Sequence, residues 1–284
     1  MRLRTALFLT FVVLVVIGGG IYVAVTQFGD QLPTPLGRGC EVRTSSGTVK
    51  LNVDQMANAA TIAAVGIRRD LPDRAIVVAL AAALQESELE NLTGGDRDSV
   101  GLFQQRPSQG WGTPEEIQDP RYSAGKFYSA LVRVKDWERL RVTEAAQRVQ
   151  RSAYPEAYEK WSDDSTVLAE ALAGQATSAV TCTRIGQPTQ RGLAAAQALG
   201  TGLRLDWGEV STVPSADVVG LIVPATDLRV GWQYAHWLVA HSSEKSVERV
   251  RFGNQEWRAD RGAWRQVDSV NAGGERVVAE VYPS

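Results

Sequence analysis

The sequence predicts an α+β protein in three parts: an N-terminal transmembrane helix, a mostly α-helical domain and a small C-terminal α/β domain. Three observations predict it. Arg2 and Arg4 precede an uncharged run, 5–27, dominated by Phe, Leu, Val and Ile. Residues 49–182 carry helix-length stretches rich in Ala and Leu, separated by polar turns. Beyond residue 192, short β-branched runs at 218–223 and 277–281 read as strands. The divisions follow: anchor 1–28, linker 29–48, helical domain 49–182, linker 183–191 and a small domain 192–284.

The run 5–27 is long enough to span a bilayer at ~1.5 Å per residue. The basic end predicts a cytoplasmic N-terminus and an extracellular bulk, a single-pass arrangement at the cell membrane. The alternative is a signal peptide cut after Gly18-Gly19-Gly20 or Ala24. The run is longer than a usual signal core and lacks a clean Ala-x-Ala, which favours an uncleaved anchor. The chain has two cysteines, Cys40 and Cys182. Outside the cytoplasm they are expected to pair, closing a loop of roughly 140 residues around the helical domain; the alternative is two free thiols.

Within the helical domain, 51–65 reads as a helix capped by Asn52 or Asp54. The next helix opens at Pro72-Asp73, where Pro needs no N–H and the acid complements the dipole. Gly94-Gly95 lie beyond its end. At helical spacing Glu86 shares a small apolar face with Ala83, Ala82, Ala79 and Ala75. A carboxyl there is poorly solvated and keeps its proton, as a general acid requires. A core-boundary Glu without chemistry gives the same pattern. In the turn 93–99, Asp96 and Asp98 read as second carboxylates, metal ligands or partners of turn amides. The segment 100–105 reads as a short strand or extended wall. Trp111, between Gly110 and Gly112, reads either as a sugar platform or as a pin for its loop. Further helices are expected at 123–134, from Thr143, at 155–161 and at 166–174.

Gln85-Glu86-Ser87, followed by Asp98-Ser99-Val100-Gly101-Leu102-Phe103-Gln104, resembles the Glu-Ser and Gly-Leu-Met-Gln signature of lysozyme-like lytic transglycosylases. Asp119-Pro120-Arg121-Tyr122-Ser123-Ala124-Gly125 resembles that family's next helix, and the Gly-Asp-Arg-Asp-Ser version is similar to actinobacterial cell-wall proteins. The resemblance covers roughly residues 50–182 and implies a lysozyme-like fold with Glu86 as the acid. It also implies that Ser87 orients Glu86 or contacts substrate, that Gln104 or Gln105 hydrogen-bonds substrate beside the acid, and that Tyr154 takes the aromatic role of the cleft. Phe103 stands where the family has Met. The family's Ala-Tyr-Asn-Ala-Gly motif has no clear copy; 145–154, ending in Tyr154, is nearest. The implied activity is cleavage of the peptidoglycan β-1,4 glycan linkage by one Glu acid/base. The alternative is a non-catalytic glycan-binding or scaffold protein of the cell envelope.

The formal net charge of −2 predicts no attraction to nucleic acid. His236 and His241 are spaced i, i+5, poor for a shared metal, and no Cys-x-x-Cys occurs, so neither metal nor cofactor is expected. In the last part, 192–203 and 231–242 read as helices, and 247–252 as a strand with a hairpin partner at 254–257. Trp257 and Trp264 read as core anchors. Nothing there carries chemistry; its position suggests contact with wall or an envelope protein.

Overall fold

The computed structural model describes residues 39–152, 154, 156–183, 186–214, 219–268 and 276–284. Cys40–Thr44 (β1) and Gly47–Leu51 (β2) form an antiparallel hairpin, and Val180–Cys182 (β3) pairs with the other edge of β1. Part of the expected linker is therefore sheet. Its alternation is the cause: Val42 and Val49 are buried, while Arg43, Thr48 and Lys50 are exposed. Cys40 lies directly opposite Cys182 in this sheet, and the two form the expected disulfide, with Cα atoms 4.0 Å apart.

Val53–Arg68 (α1) starts at Asn52. The Asn52 side chain accepts from the amides of Asp54 and Gln55, and the Gln55 side chain accepts from the Asn52 amide, a reciprocal cap. Asp73–Ser87 (α2) starts after Pro72, which sets an extended entry without a side-chain cap. Every residue of 75–84 in α2 is buried, so the helix is enclosed on all sides rather than along one apolar face. Its walls are α1, Val142–Gln150 (α5) and Ser162–Leu172 (α6). Pro114–Ile117 (α3) and Pro120–Leu131 (α4) lie between, and α4 packs on α1, where the Tyr128 hydroxyl donates to the Ile62 carbonyl at 2.9 Å. The expected wall at 100–105 is not a strand: a single bridge joins Val100 and Gln105 across a tight turn.

The last part is not α/β. Six strands, Val213–Pro214 (β4), Gly220–Pro224 (β5), Val247–Phe252 (β6), Gln255–Arg258 (β7), Ala263–Gln266 (β8) and Arg276–Val281 (β9), form one antiparallel sheet in the order β4-β5-β9-β6-β7-β8. Gly192–Trp207 (α7) and Leu228–Ala240 (α8) pack against it. Val223, Val250, Phe252, Trp257, Val277 and Ala279 are buried. Trp232 of α8 meets Phe252 edge-on, with ring centroids 5.2 Å apart. Charges pair across the other face: Arg249 and Arg251 with Glu280, and Arg265 with Glu256. Short hairpin links and helices gathered on one face make the whole a mixed α+β fold with two antiparallel sheets.

The transmembrane expectation is corrected likewise. Among the described residues no helix is long and apolar enough to cross a membrane. The longest, α1 and α7, have 16 residues each, short of the ~20 a span needs. The run 5–27, and with it the expected single-pass topology, lies outside the described residues.

The described residues form one compact unit. The fully buried Asp206 of α7 accepts from Thr61 of α1 and from the Trp237 indole of α8, both at 2.8 Å, and its other oxygen is 2.6 Å from Arg121 of α4. That last contact is an ion pair without hydrogen-bond angles. Arg229 of α8 grips Asp73, at the start of α2, with both carboxylate oxygens within 2.7 Å. Gly174, at φ +73°, lets α6 end against the Arg229 carbonyl, since a Cβ would come within 2.2 Å of that oxygen.

Two predictions follow from these ties. Replacing both cysteines by Ser lowers unfolding stability by about 5 kcal/mol in the chain-entropy model, read as a fall in the urea midpoint. The second concerns His236, fully buried between the Ala171 carbonyl (2.7 Å) and the Ala179 amide (3.0 Å). Burial pushes its imidazole down to about 4 from the ordinary 6.5. The unfolded chain therefore binds the proton first, and stability is full above about 6.5 and lost as pH falls toward about 4, by roughly 3 kcal/mol. Urea unfolding of His236→Gln across that range should show a shallower pH slope than the parent chain; equal slopes would mean that His236 is not the group lost.

Candidate functional site

The site begins where α2 ends. Glu88 and Leu89 adopt left-handed conformations at φ +53° and +63°, and their amides return to the Leu84 and Ala83 carbonyls. Two side chains of α1 fix this exit: Gln55 donates to the Glu88 carbonyl at 2.9 Å and Asn58 to the Leu89 carbonyl at 2.8 Å. The last helical turn, which carries Gln85, Glu86 and Ser87, therefore has little freedom.

Ser87 is buried. Its hydroxyl donates to the Leu102 carbonyl at 2.7 Å and lies 3.1 Å from the Ala83 carbonyl. It is a tether for the following turn, and both of these contacts are internal. That turn is closed by reciprocal Val100–Gln105 backbone bonds of 3.0 and 3.1 Å. Gly101, at φ +79°, is required there, because a Cβ would lie 2.8 Å from the Ile117 carbonyl oxygen. Leu102 and Phe103 are fully buried, and Phe103 stacks on Phe127 at 4.8 Å. The Gly-Leu-Phe segment is thus a plug under the acid. Gln105 is buried with it and donates to the Ser123 carbonyl at 3.1 Å. Gln104 is half-buried, at φ +44°, its amide carbonyl lying over Gly95.

Glu86 is half-buried at the mouth of this plug. Its Oε1 accepts from the Tyr158 hydroxyl at 2.6 Å, and the Gln150 side chain also hydrogen-bonds the carboxyl. Gln150 in turn donates to the Phe103 carbonyl at 2.8 Å. Burial pushes the Glu86 carboxyl above its usual range; the Tyr158 and Gln150 hydrogen bonds oppose that rise and do not cancel it. Burial and the neighbouring Glu86 raise the Tyr158 phenol, so it remains a neutral donor. Next to Glu86, Gln85 accepts from the Trp161 indole at 3.1 Å.

The two acids of the turn 93–99 have other duties. Asp98 accepts from the Ser108 amide (2.7 Å), the Ser108 hydroxyl (3.0 Å) and Arg106 (3.0 Å), and these bonds hold it well below the usual carboxylate range. It is a permanently ionised staple across the loop to Pro107–Gln109, a 3₁₀ turn. Asp96 is 89% exposed beside Arg97. Trp111 is half-buried and packed on the core. Tyr154 is 76% exposed, and Tyr158, four residues on, is the aromatic hydroxyl that meets Glu86. The sequence signal for Tyr158 is slight: one more tyrosine in a stretch already expected to supply an aromatic. Gln150, Gln85 and Trp161 carry no separate signal.

Among the described residues no group of three His, Cys, Asp or Glu side chains is placed to hold a metal ion. A rigid, desolvated carboxylic acid with a neutral donor on one oxygen is an arrangement suited to giving and retaking one proton. The chain matches no family model, and no curated protein is similar to it.

The Asp98 assignment predicts that Asp98→Ala accelerates hydrogen exchange at the Ser108 amide by about tenfold or more while leaving the Glu86 carboxyl titration in place. A shift of the Glu86 titration in that variant would place Asp98 in the acid's electrostatic surroundings.

Proposed function

We propose that this chain is a peptidoglycan-cleaving enzyme of the lysozyme-like, lytic transglycosylase kind, acting on the β-1,4 glycan linkage with Glu86 as its single acid/base. The observation that carries the reading is the Glu86 carboxyl itself: half-buried, displaced toward the protonated form and hydrogen-bonded to Tyr158 at the end of a fully enclosed helix. The sequence resemblance supplies the substrate class.

In the reaction, Glu86 gives its proton to the glycosidic oxygen as the C1–O bond breaks and positive charge develops on the sugar ring. The Glu86 carboxylate then takes the proton of the same sugar's C6 hydroxyl while O6 bonds to C1. The products are a 1,6-anhydro end and a free hydroxyl on the leaving sugar. One carboxyl suffices for both steps. The commitment of Asp98 to Arg106 and Ser108 supports this route over one that activates water with a second carboxylate.

A second reading is a lysozyme-like protein that grips glycan without cutting it. The occupied Glu86 oxygen and the lack of a clear Ala-Tyr-Asn-Ala-Gly copy favour it.

Purified peptidoglycan incubated with the chain, followed by mass analysis of the released fragments, tests the choice. The proposal expects anhydro products, a loss of about 10³-fold in Glu86→Gln, and a rate that falls as pH rises through the elevated Glu86 titration. Reducing-end products lost in the variant would make the reaction hydrolysis. Sedimentation with sacculi and no release from either protein would leave the binder.

A further inference from the structure

Tyr158 and Trp161 belong to one short turn, 156–161, between α5 and α6, and both reach the last turn of α2. Tyr158 donates to Glu86 at 2.6 Å and Trp161 to Gln85 at 3.1 Å. Successive residues on a helix point about 100° apart, so this turn straddles α2 and is held at two points. The Tyr158 ring is fully buried in the core, and the Trp161–Gln85 bond adds a second tie between the turn and α2. The Trp161 ring is half-buried and packed on the core, and the Lys160 ammonium lies 4.9 Å from its centroid. The indole N–H is thus held in place before it meets Gln85.

We propose that Trp161 is a positioning residue for Glu86, its indole bond to Gln85 seating the turn so that the Tyr158 hydroxyl stays on the Glu86 carboxyl. This deepens the glycosidase reading and rests on it for its purpose, though its measurement needs no glycan.

From the elements packed against α2, the described groups that act on the Glu86 carboxyl are Gln150 of α5 and Tyr158 of the turn. Both stabilise the ionised form and oppose burial. If Trp161 seats Tyr158, breaking the Trp161–Gln85 bond weakens the Tyr158 bond, and the Glu86 titration moves further up.

Carbon-13 carboxyl NMR of Glu-labelled protein reads that titration, with Glu86→Gln assigning the resonance. Tyr158→Phe, which removes the direct donor, is expected to raise it by about one unit. Trp161→Phe keeps an aromatic ring and removes only the N–H; it should shift the titration the same way by at least half as much. Gln85→Met removes the acceptor, leaves Trp161 intact and should match Trp161→Phe, so a folding failure in one variant leaves the other to decide. A shift with Tyr158→Phe and none with either Trp161→Phe or Gln85→Met would overturn the proposal, because a merely structural tie lowers stability without moving Glu86. Should the titrations move as expected in a protein that releases no glycan fragments, the positioning stands and the enzyme reading alone fails.

Discussion

The enclosure of α2 is the constraint from which the rest follows. Ten consecutive residues, 75–84, are buried on every side of the helix. Such a helix cannot be moved a fraction of a turn without opening the core, since protein interiors are packed at crystal-like density. Glu86 lies just past this buried stretch, half-buried beside the turn 156–161. Its carboxyl is therefore desolvated without being sealed. A polar group at that depth must be hydrogen-bonded or neutral, and Glu86 is both bonded and displaced toward neutrality.

The C-terminal part holds this frame rather than hanging from it. Asp206 joins α1, α4, α7 and α8 through one buried carboxylate, and Arg229 holds the first turn of α2 through Asp73. The Gln175 side chain also reaches Asp73. Both ends of α2 are thus secured, one by α8 and the other by α1 and the turn after α5. At the far edge, the Trp264 indole donates to the Val180 carbonyl at 2.8 Å, so the six-stranded sheet touches the strand that carries the disulfide. Removing one partner of a buried charge cluster such as that of Asp206 typically costs 3–5 kcal/mol, which makes the junction part of the fold and not a loose interface.

How far the sequence discloses this depends on the range of the interactions. Local signals read well. Asn52 caps α1 because its side chain competes for nearby amides, and Pro72-Asp73 opens α2 because of fixed backbone geometry. The hairpin between β6 and β7 turns at Gly253-Asn254 as its composition suggests, and Trp257 is fully buried. The pairing of Cys40 with Cys182 is legible because there are only two cysteines. Longer-range arrangements do not read. The strands at 40–51 each send little inward, so their Gly- and Thr-rich surroundings suggest a linker. The antiparallel sheet is hidden because β5 pairs with β9, whose partner residues lie more than fifty positions away. At the site, Glu86 is legible from its setting, but Tyr158 is not distinguishable from Tyr154 without the path of the turn, and Ser87 and Gln105 turn inward to satisfy buried carbonyls.

The enclosed helix delivers a carboxylic acid that burial pushes toward keeping its proton where ordinary glutamates lose theirs. The most direct measurement is the pH titration of the Glu86 carboxyl in the intact chain by carbon-13 NMR. A midpoint clearly above the ordinary glutamate value of 4.5 is the predicted result. A midpoint at or below that value would mean that the hydrogen bonds from Tyr158 and Gln150 outweigh burial, and would contradict Glu86 as a general acid.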